Sequence, residues 1–174
     1  ALISGYSRSY PVTVKPIFEV IGRSPGVNKV ATTNLMITSK GPLFLSDTSI
    51  NIDPSSKDLA IIAKMTSDTV KMFGLEPNIA MVSYSNFGSS NHPMVLKVNE
   101  AVNYLHRKFP KLNVDGPVQS DFALNKEMLK EKFSFSKLSG KNVNTLIFPN
   151  LDSANTNYKV IKELDNALSI GPIM

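Results

Sequence analysis

The chain has no cysteine, and its 174 residues include only two histidines, His92 and His106. Without a thiol there is no disulfide, no cysteine nucleophile and no thiolate metal ligand. The same absence fits a reducing cytoplasm, which is the expected location. His92 falls in a loop beside Pro93, and His106 falls beside Arg107 and Lys108 at a helix end, so the two do not compose a metal site. No apolar run approaches the ~20 residues of a membrane span. The start shows neither the charged nor the apolar region of a secretory signal. There is no internal repeat, no low-complexity tract and no G-x-G-x-x-G dinucleotide fingerprint. Charged residues make up only 19% of the chain, and the Lys and Arg among them are scattered. A basic stripe interleaved with aromatics is therefore missing, and neither nucleic acid nor membrane is an expected partner.

What is present reads as one globular α/β unit. Hydrophobic residues make up 42%, enough for a core at this length, and the net charge of +5 suits an anionic, phosphorylated small molecule. The organising stretch is Ile79 to Pro93, IAMVSYSNFGSSNHP. An apolar strand runs into a loop of Ser83, Tyr84, Ser85, Asn86, Gly88, Ser89 and Ser90, and Pro93 opens a helix. Strand, Gly/Ser loop and helix start together turn backbone N–H groups toward an anion.

The remaining pattern alternates. Ala1 to Ser4 reads as a strand end and Gly5 to Pro11 as a loop containing Arg8. A helix is expected from Thr13 to Ile21, with Thr13 as cap, Pro16 in its first turn, Lys15 beside the free N–H groups, and Gly22 as stop. Ser24-Pro25-Gly26 is a turn. Val30–Thr38 and Leu43–Leu45 are strands, either a hairpin or two separate positions in one sheet. Asp53-Pro54 starts a helix with Leu59, Ile62, Ala63, Thr66, Val70 and Phe73 on its apolar face, ended by Gly74. Val95, Val98, Val102, Leu105 and Phe109 form a second stripe. Met65, Met72 and Met94 read as core or boundary filler. Leu112–Asp115 is a short strand, Gly116-Pro117 a turn, Val118–Asn125 irregular, Lys126–Lys132 a short helix and Ser134–Asn142 a polar loop. Val143–Phe148 lacks alternation and reads as a central strand. Asp152 or Ser153 caps a helix facing inward through Ala154, Tyr158, Ile161 and Leu164, and Leu168–Ile170 begins a last strand.

Strands alternating with helices predict a layered α/β fold on an open, mostly parallel sheet. Ligands in such sheets lie off the carboxyl ends of the strands. Those ends are Ser4, Asp47, Ser83–Ser90, Asp115–Asp121 and Pro149–Asn155, all polar. The candidate ligand-binding residues are Ser4, Thr13, Lys15, Ser83, Ser85, Gly88, Ser89, Asp121 and Asn155. Asp47, Asp115 and Asp121 are carboxylates at strand ends that either serve chemistry or brace the structure as caps, turn formers or ion pairs. Asn150 and Asn155 either line a cleft or cap a helix. Tyr84 and Phe87 either stack on an adenine or fill a contact.

Six segments resemble the phosphate acetyl/butyryl transferase family: SGYSRSYPVTVKP (Ser4–Pro16), GPLFLSDTSINIDP (Gly41–Pro54), AMVSYSNFGSS (Ala80–Ser90), VDGPVQSDFALN (Val114–Asn125), LIFPNLDSANTNYK (Leu146–Lys159) and IGPIM (Ile170–Met174). SYSNFGSS, FALN and FPNLDSAN look closest to the acetyltransferase-like C-terminal domain fused to bacterial NADP-dependent malic enzymes. The resemblance implies a partial isocitrate/isopropylmalate dehydrogenase-like fold. Residues 1–174 would form its middle-to-C-terminal part, with flanking segments on both sides. The family's Ser-Arg pair and reaction-centre aspartate match nothing in this chain, so no catalytic residue is assigned. A family arginine that contacts the anionic ligand falls at Lys15, which keeps the charge and loses the bidentate fork.

The resemblance further implies a ligand, acetyl-CoA, CoA or acetyl phosphate, and an assembly of at least two copies. In a malic-enzyme parent this part would sense acetyl-CoA and help assemble the enzyme. NADP and a divalent metal would be bound outside this chain. The alternative is an active phosphate acetyltransferase, in which the coenzyme thiolate attacks acetyl phosphate directly. A third reading is a module used for assembly alone.

Overall fold

The computed structural model describes residues 2–3, 10–23 and 28–174, with Tyr10 and Pro11 described by backbone alone. The chain divides into two units, residues 1–30 and residues 31–174.

In the first unit, helix α1 spans Tyr10–Val20. It starts three residues before Thr13, so Thr13 lies inside the first turn and is not the cap. Lys15 accordingly falls beyond the first turn, away from the free N–H groups. Its ammonium faces Glu19 instead, at 3.9 Å, with both side chains well exposed; such a pair contributes little. Pro16 sits in the helix interior, where it removes the donor that would serve the Val12 carbonyl. Gly22, at φ +71°, ends the helix as expected. Leu2 and Ile3 are exposed and carry no strand. Ala1, Ser4, the loop positions 5–9 with Arg8, and the Ser24-Pro25-Gly26 turn lie outside the described residues.

The second unit is built on strands β1 (Thr33–Thr38), β2 (Gly41–Ser46), β3 (Asn78–Val82), β4 (Asn113–Val118), β5 (Thr145–Ile147) and β6 (Leu168–Ile173). Helices α2 (Ser56–Met72), α3 (Pro93–Lys108), α4 (Ser120–Ala123), α5 (Lys126–Lys132) and α6 (Leu151–Leu164) connect them. One mixed sheet results, in the order β4-β3-β5-β2-β1-β6. β4, β3, β5 and β2 run parallel. β1 and β2 form an antiparallel hairpin, which settles that alternative, and β6 joins β1 antiparallel.

The apolar strands alternate between two faces that are both covered, so their sequences show no polar alternation. Ile79 and Met81 of β3, with Ile147 of β5, pack against Leu59, Ile62, Val98, Val102 and Leu105 of α2 and α3. Ala80, Val82, Leu146 and Phe148 point the other way, toward Ala123, Leu129, Leu138 and Ala154. Each fully buried Leu or Ile contributes about 1.5–3 kcal/mol relative to exposure. The long helical stripes end up in the core with two exceptions. Phe73 is half-exposed at the end of α2, edge-on to Phe44 at 5.5 Å. Leu164 is exposed in the last turn of α6. Met72 is also on the surface, not at a core boundary, and Met94 is exposed.

Helix starts are set by side-chain caps. Ser55, not Asp53, caps α2, through a reciprocal capping box with Asp58. Asp53 instead pairs with Lys97 of α3 at 2.6 Å. Asn150, not Asp152 or Ser153, caps α6 by accepting from the Ser153 N–H at 2.9 Å. The segment expected to be irregular after Val118 holds α4.

The Gly116-Pro117 step, expected as a turn, is not one. Gly116-Pro117 lies inside β4 and Gly171-Pro172 inside β6, and both peptide bonds are cis. In each, two residues oppose one on the neighbouring strand: Met81 faces Gly116-Pro117, and Asn34 faces Gly171-Pro172. These are bulges, and β4 and β6 are the two edge strands, where proline is tolerated. Glycine is required before each proline. At Gly116 (φ +143°) a Cβ would stand 2.5 Å from the Met81 carbonyl oxygen, and at Gly171 it would meet Asn34 Oδ1.

Candidate functional site

The parallel register places the carboxyl ends of β2, β3, β4 and β5 on one edge of the sheet, beside the start of the antiparallel β1. Four of the polar tips read from the sequence therefore converge there: Asp47, Ser83–Ser90, the segment after β4, and Pro149–Asn155. The fifth, Ser4, is outside the described residues. Thr13 and Lys15 belong to the first unit.

After β2 the chain turns at Asp47, which is buried. Its Oδ1 accepts from the Thr32 N–H (3.1 Å), Thr32 Oγ1, and the N–H groups of Ser49 (3.1 Å) and Ile50 (3.3 Å). Its Oδ2 accepts from the Asn51 N–H at 2.8 Å and from Asn51 Nδ2. Both oxygens are thus consumed in shaping the loop, the bracing role among the two read from the sequence. Asp115 is likewise engaged: Oδ1 accepts from the Gly116 N–H at 3.0 Å, and Oδ2 from Ser136 Oγ and the Lys137 N–H, each at 2.8 Å. It lies inside β4, not at the strand tip. His106, at the end of α3, is only partly exposed; its Nε2–H donates to the Val114 carbonyl at 2.8 Å, and Asp115 Oδ1 is 3.8 Å away.

The β3–α3 loop is held from inside and from β4. The Ser83 N–H donates to the Val118 carbonyl (3.0 Å) and the Phe87 N–H to the Pro117 carbonyl (2.7 Å). Ser85 is buried, and its hydroxyl shares a 2.6 Å hydrogen bond with Ser89 Oγ, which also accepts from the Asn86 N–H at 3.2 Å. Gln119 clasps the loop: its N–H donates to Asn86 Oδ1 (2.8 Å), its side-chain Nε2 donates to the Tyr84 carbonyl (2.7 Å), and its Oε1 accepts from Asn86 Nδ2 (2.7 Å). Phe87, at φ +43°, turns its ring into a cluster with Phe133 and Phe135, the packing role among its two readings. Gly88 follows at φ +90° and is exposed. His92 caps α3 by accepting from the Met94 N–H at Nδ1, 3.3 Å.

Outward, the loop keeps donors free. Among the described residues, the N–H groups of Tyr84, Gly88, Ser90 and Asn91 have no acceptor within the protein. Tyr84 Oη and Ser90 Oγ share a 3.0 Å hydrogen bond at the same surface. On the neighbouring tip, Asn155 Nδ2 donates to the Thr48 carbonyl at 3.0 Å, tying α6 to the Asp47 turn, while Asn150 takes the capping role. Lys97 Nζ reaches the Pro149 carbonyl at 3.0 Å. Asp121 is exposed in α4. Sequence reasoning missed Gln119, Asn86 and Lys97 as the groups that shape this edge. Their partners are 33 to 52 residues away in the chain, and no local pattern points to them.

The arrangement offers hydrogen-bond donors to an anion from a braced loop. Among the described residues no cluster of three or more His, Asp or Glu is placed to hold a metal. No described helix is long and apolar enough to cross a membrane.

Known proteins share both the sequence and this fold. The phosphate acetyltransferase of Buchnera aphidicola subsp. Schizaphis graminum is 36% identical over 173 residues, 99% of this chain and 24% of that protein. The NADP-dependent malic enzyme of Haemophilus influenzae is 34% identical over 174 residues, 100% of this chain and 23% of that protein. The chain thus spans about a quarter of the length of these two relatives. A crystal structure of a phosphotransacetylase from Streptococcus pyogenes superposes with a TM-score of 0.88 at 36% identity, over 97% of this chain and 52% of that one. The family model described as phosphate acetyl/butaryl transferase matches residues 1–174, and the chain belongs to that family.

Proposed function

We propose that residues 31–174 form one wall of an acyl-CoA or acyl-phosphate cleft and that, in a malic-enzyme parent, this wall senses acetyl-CoA and contributes to assembly of a homo-oligomer. The observation that carries the reading is the shared strand-tip edge, with the N–H groups of Tyr84, Gly88, Ser90 and Asn91 left without an acceptor among the described residues in a loop braced by Gln119. Free backbone donors suit phosphoryl or carbonyl oxygens. Asp47 and Asp115 have their carboxylate oxygens engaged in internal hydrogen bonds, so these two act in bracing and not as a general base. Ser83, Ser85, Gly88, Ser89, Asp121 and Asn155 shape or border this wall. Ser4, Thr13 and Lys15 are proposed as anion ligands by family likeness. NADP and a divalent metal would be held elsewhere in such a parent, and the cytoplasm is the proposed location.

Calorimetry of the full-length protein with acetyl-CoA, paired with NADP-dependent malate oxidation, tests this. Expected is a binding heat and slower malate oxidation when acetyl-CoA is present. Absence of both overturns the reading. The second reading, an active phosphate acetyltransferase, is favoured by the 36% identity to the Buchnera enzyme. There the CoA sulfur forms a thioester with the acetyl carbon, the carbon–oxygen bond to phosphate breaks, and phosphate leaves with the electron pair. The thiol proton would go to a base outside this chain. Acetyl-CoA formation from acetyl phosphate and CoA, without a malate-dependent activity, would establish it.

A further inference from the structure

At the edge of the sheet opposite the strand tips, where β3 and β4 begin, a cleft of about 400 Å³ opens between the last turns of α2 and the turn that follows α3. One wall is Lys64, Ser67 and Lys71, spaced along a single face of α2; the turn Phe109–Leu112 and Glu76 complete the lining. This volume lies in the range that small-molecule sites occupy. The apolar part of the lining is Phe109, Pro110 and Leu112.

Two features ask for an anion. Among the described residues Lys71 and Lys111 make no ion pair, whereas Lys64 is already engaged by Asp68 at 2.5 Å and lies over the Phe109 ring, 5.7 Å from its centroid. Glu76 accepts from Asn113 Nδ2 at 3.3 Å. The second feature is Ser67. Thr66 and Thr69 on the same helix satisfy their hydroxyls on the Ile62 and Met65 carbonyls, at 2.9 and 3.2 Å. Ser67 is fully buried and its Oγ has no partner at all. A helical serine ordinarily back-bonds as its neighbours do. A buried hydroxyl left unmade is costly, and here it belongs to a residue that lines the cleft.

The geometry points to a second ligand site in this cleft, for a compact organic anion. Its phosphate or carboxylate sits between Lys71 and Lys111 and takes a hydrogen bond from Ser67 Oγ, and its flat apolar body lies on Phe109, Pro110 and Leu112. The site is separate from the strand-tip edge and does not depend on what that edge binds.

Phenyl phosphate is a suitable probe, with inorganic phosphate as the same charge without the body. Both are titrated calorimetrically into the full-length protein in saturating acetyl-CoA, so that the strand-tip edge does not contribute. Phenyl phosphate is expected to bind about tenfold more tightly than inorganic phosphate. The double variant Lys71→Glu/Lys111→Glu should weaken it by about tenfold or more. Ser67→Ala should weaken it by about threefold or more while leaving the probe-free thermal midpoint unchanged or higher, because the hydroxyl it removes has no internal partner. Equal affinity in the double variant overturns the site. So does a Ser67→Ala protein of lower midpoint and unchanged affinity, which would mean that the hydroxyl serves a bound water only. If acetyl-CoA itself fails to bind, the two variants still report on the cleft.

Discussion

Asn86 and Gln119 hold each other through a two-way amide exchange: Asn86 Nδ2 donates to Gln119 Oε1 at 2.7 Å, and the Gln119 N–H returns a bond to Asn86 Oδ1 at 2.8 Å. The pair joins the loop after β3 to the end of β4, so the outward donors of Tyr84, Gly88 and Ser90 are positioned by a residue from another strand.

Asn86→Ala should therefore cost about 1–2 kcal/mol, since it removes two bonds and strands the Gln119 N–H. The measurement is the urea midpoint together with hydrogen exchange of residues 83–92. Exchange in that loop should rise more than in β3. Uniform loss across the sheet would contradict the local role.

Asp47→Ala should be far more damaging. Six donor contacts converge on this buried carboxylate, and the substitution leaves the Thr32, Ser49, Ile50 and Asn51 groups without it. A loss of about 3 kcal/mol or more is expected, read as a lowered denaturant midpoint. A stable variant with a purely catalytic defect would make Asp47 a reacting group instead.

Gly116→Ala meets the Met81 carbonyl oxygen and also requires a positive φ. The expected cost is about 2–4 kcal/mol. Chemical denaturation of the variant, compared with Gly140→Ala, isolates the effect of contact. Gly140 also has a positive φ but open space around it, so it should lose less.

Asp165 has a carboxyl held below its ordinary value, first by the Ser39 hydroxyl and then by the Ser39 N–H, both 2.7 Å away. A depressed folded-state value means that its contribution is present above the unfolded-state value and fades as pH falls through the folded one. Ser39→Ala should raise the Asp165 titration midpoint toward that of a free aspartate and flatten the acid limb of the stability curve. Carboxyl-carbon NMR titration reads the first effect directly.

The long amphipathic helices were legible because burial and period coincide: Leu59, Ile62, Ala63, Val70, Val95, Val98, Val102 and Leu105 are all core residues. Phe73 and Leu164 depart from their stripes because each falls at a helix end: Phe73 is the residue that caps α2 and Leu164 is the last residue of α6. Helix starts were misread where two caps competed. Asp53-Pro54 is a good local signal, but Ser55 with Asp58 satisfies two backbone donors at once. The Gly116-Pro117 step reads as a turn in the sequence because turn chemistry is local, while an edge bulge depends on the neighbouring strand. At the candidate site, the gathering of polar strand tips at one end of the sheet followed from α/β alternation. The bracing of Asp47, Asp115 and the Ser-rich loop did not, because hydroxyl and amide partners are chosen in three dimensions.

The paired bulges bear on crowding inside a cell. Each outermost ribbon of the sheet is crimped at a proline that has no hydrogen to lend, and the crimp is locked by a glycine that cannot grow a side chain. A stray chain trying to zip along either border would meet broken stitching, so accidental lengthening of the sheet is discouraged at both margins.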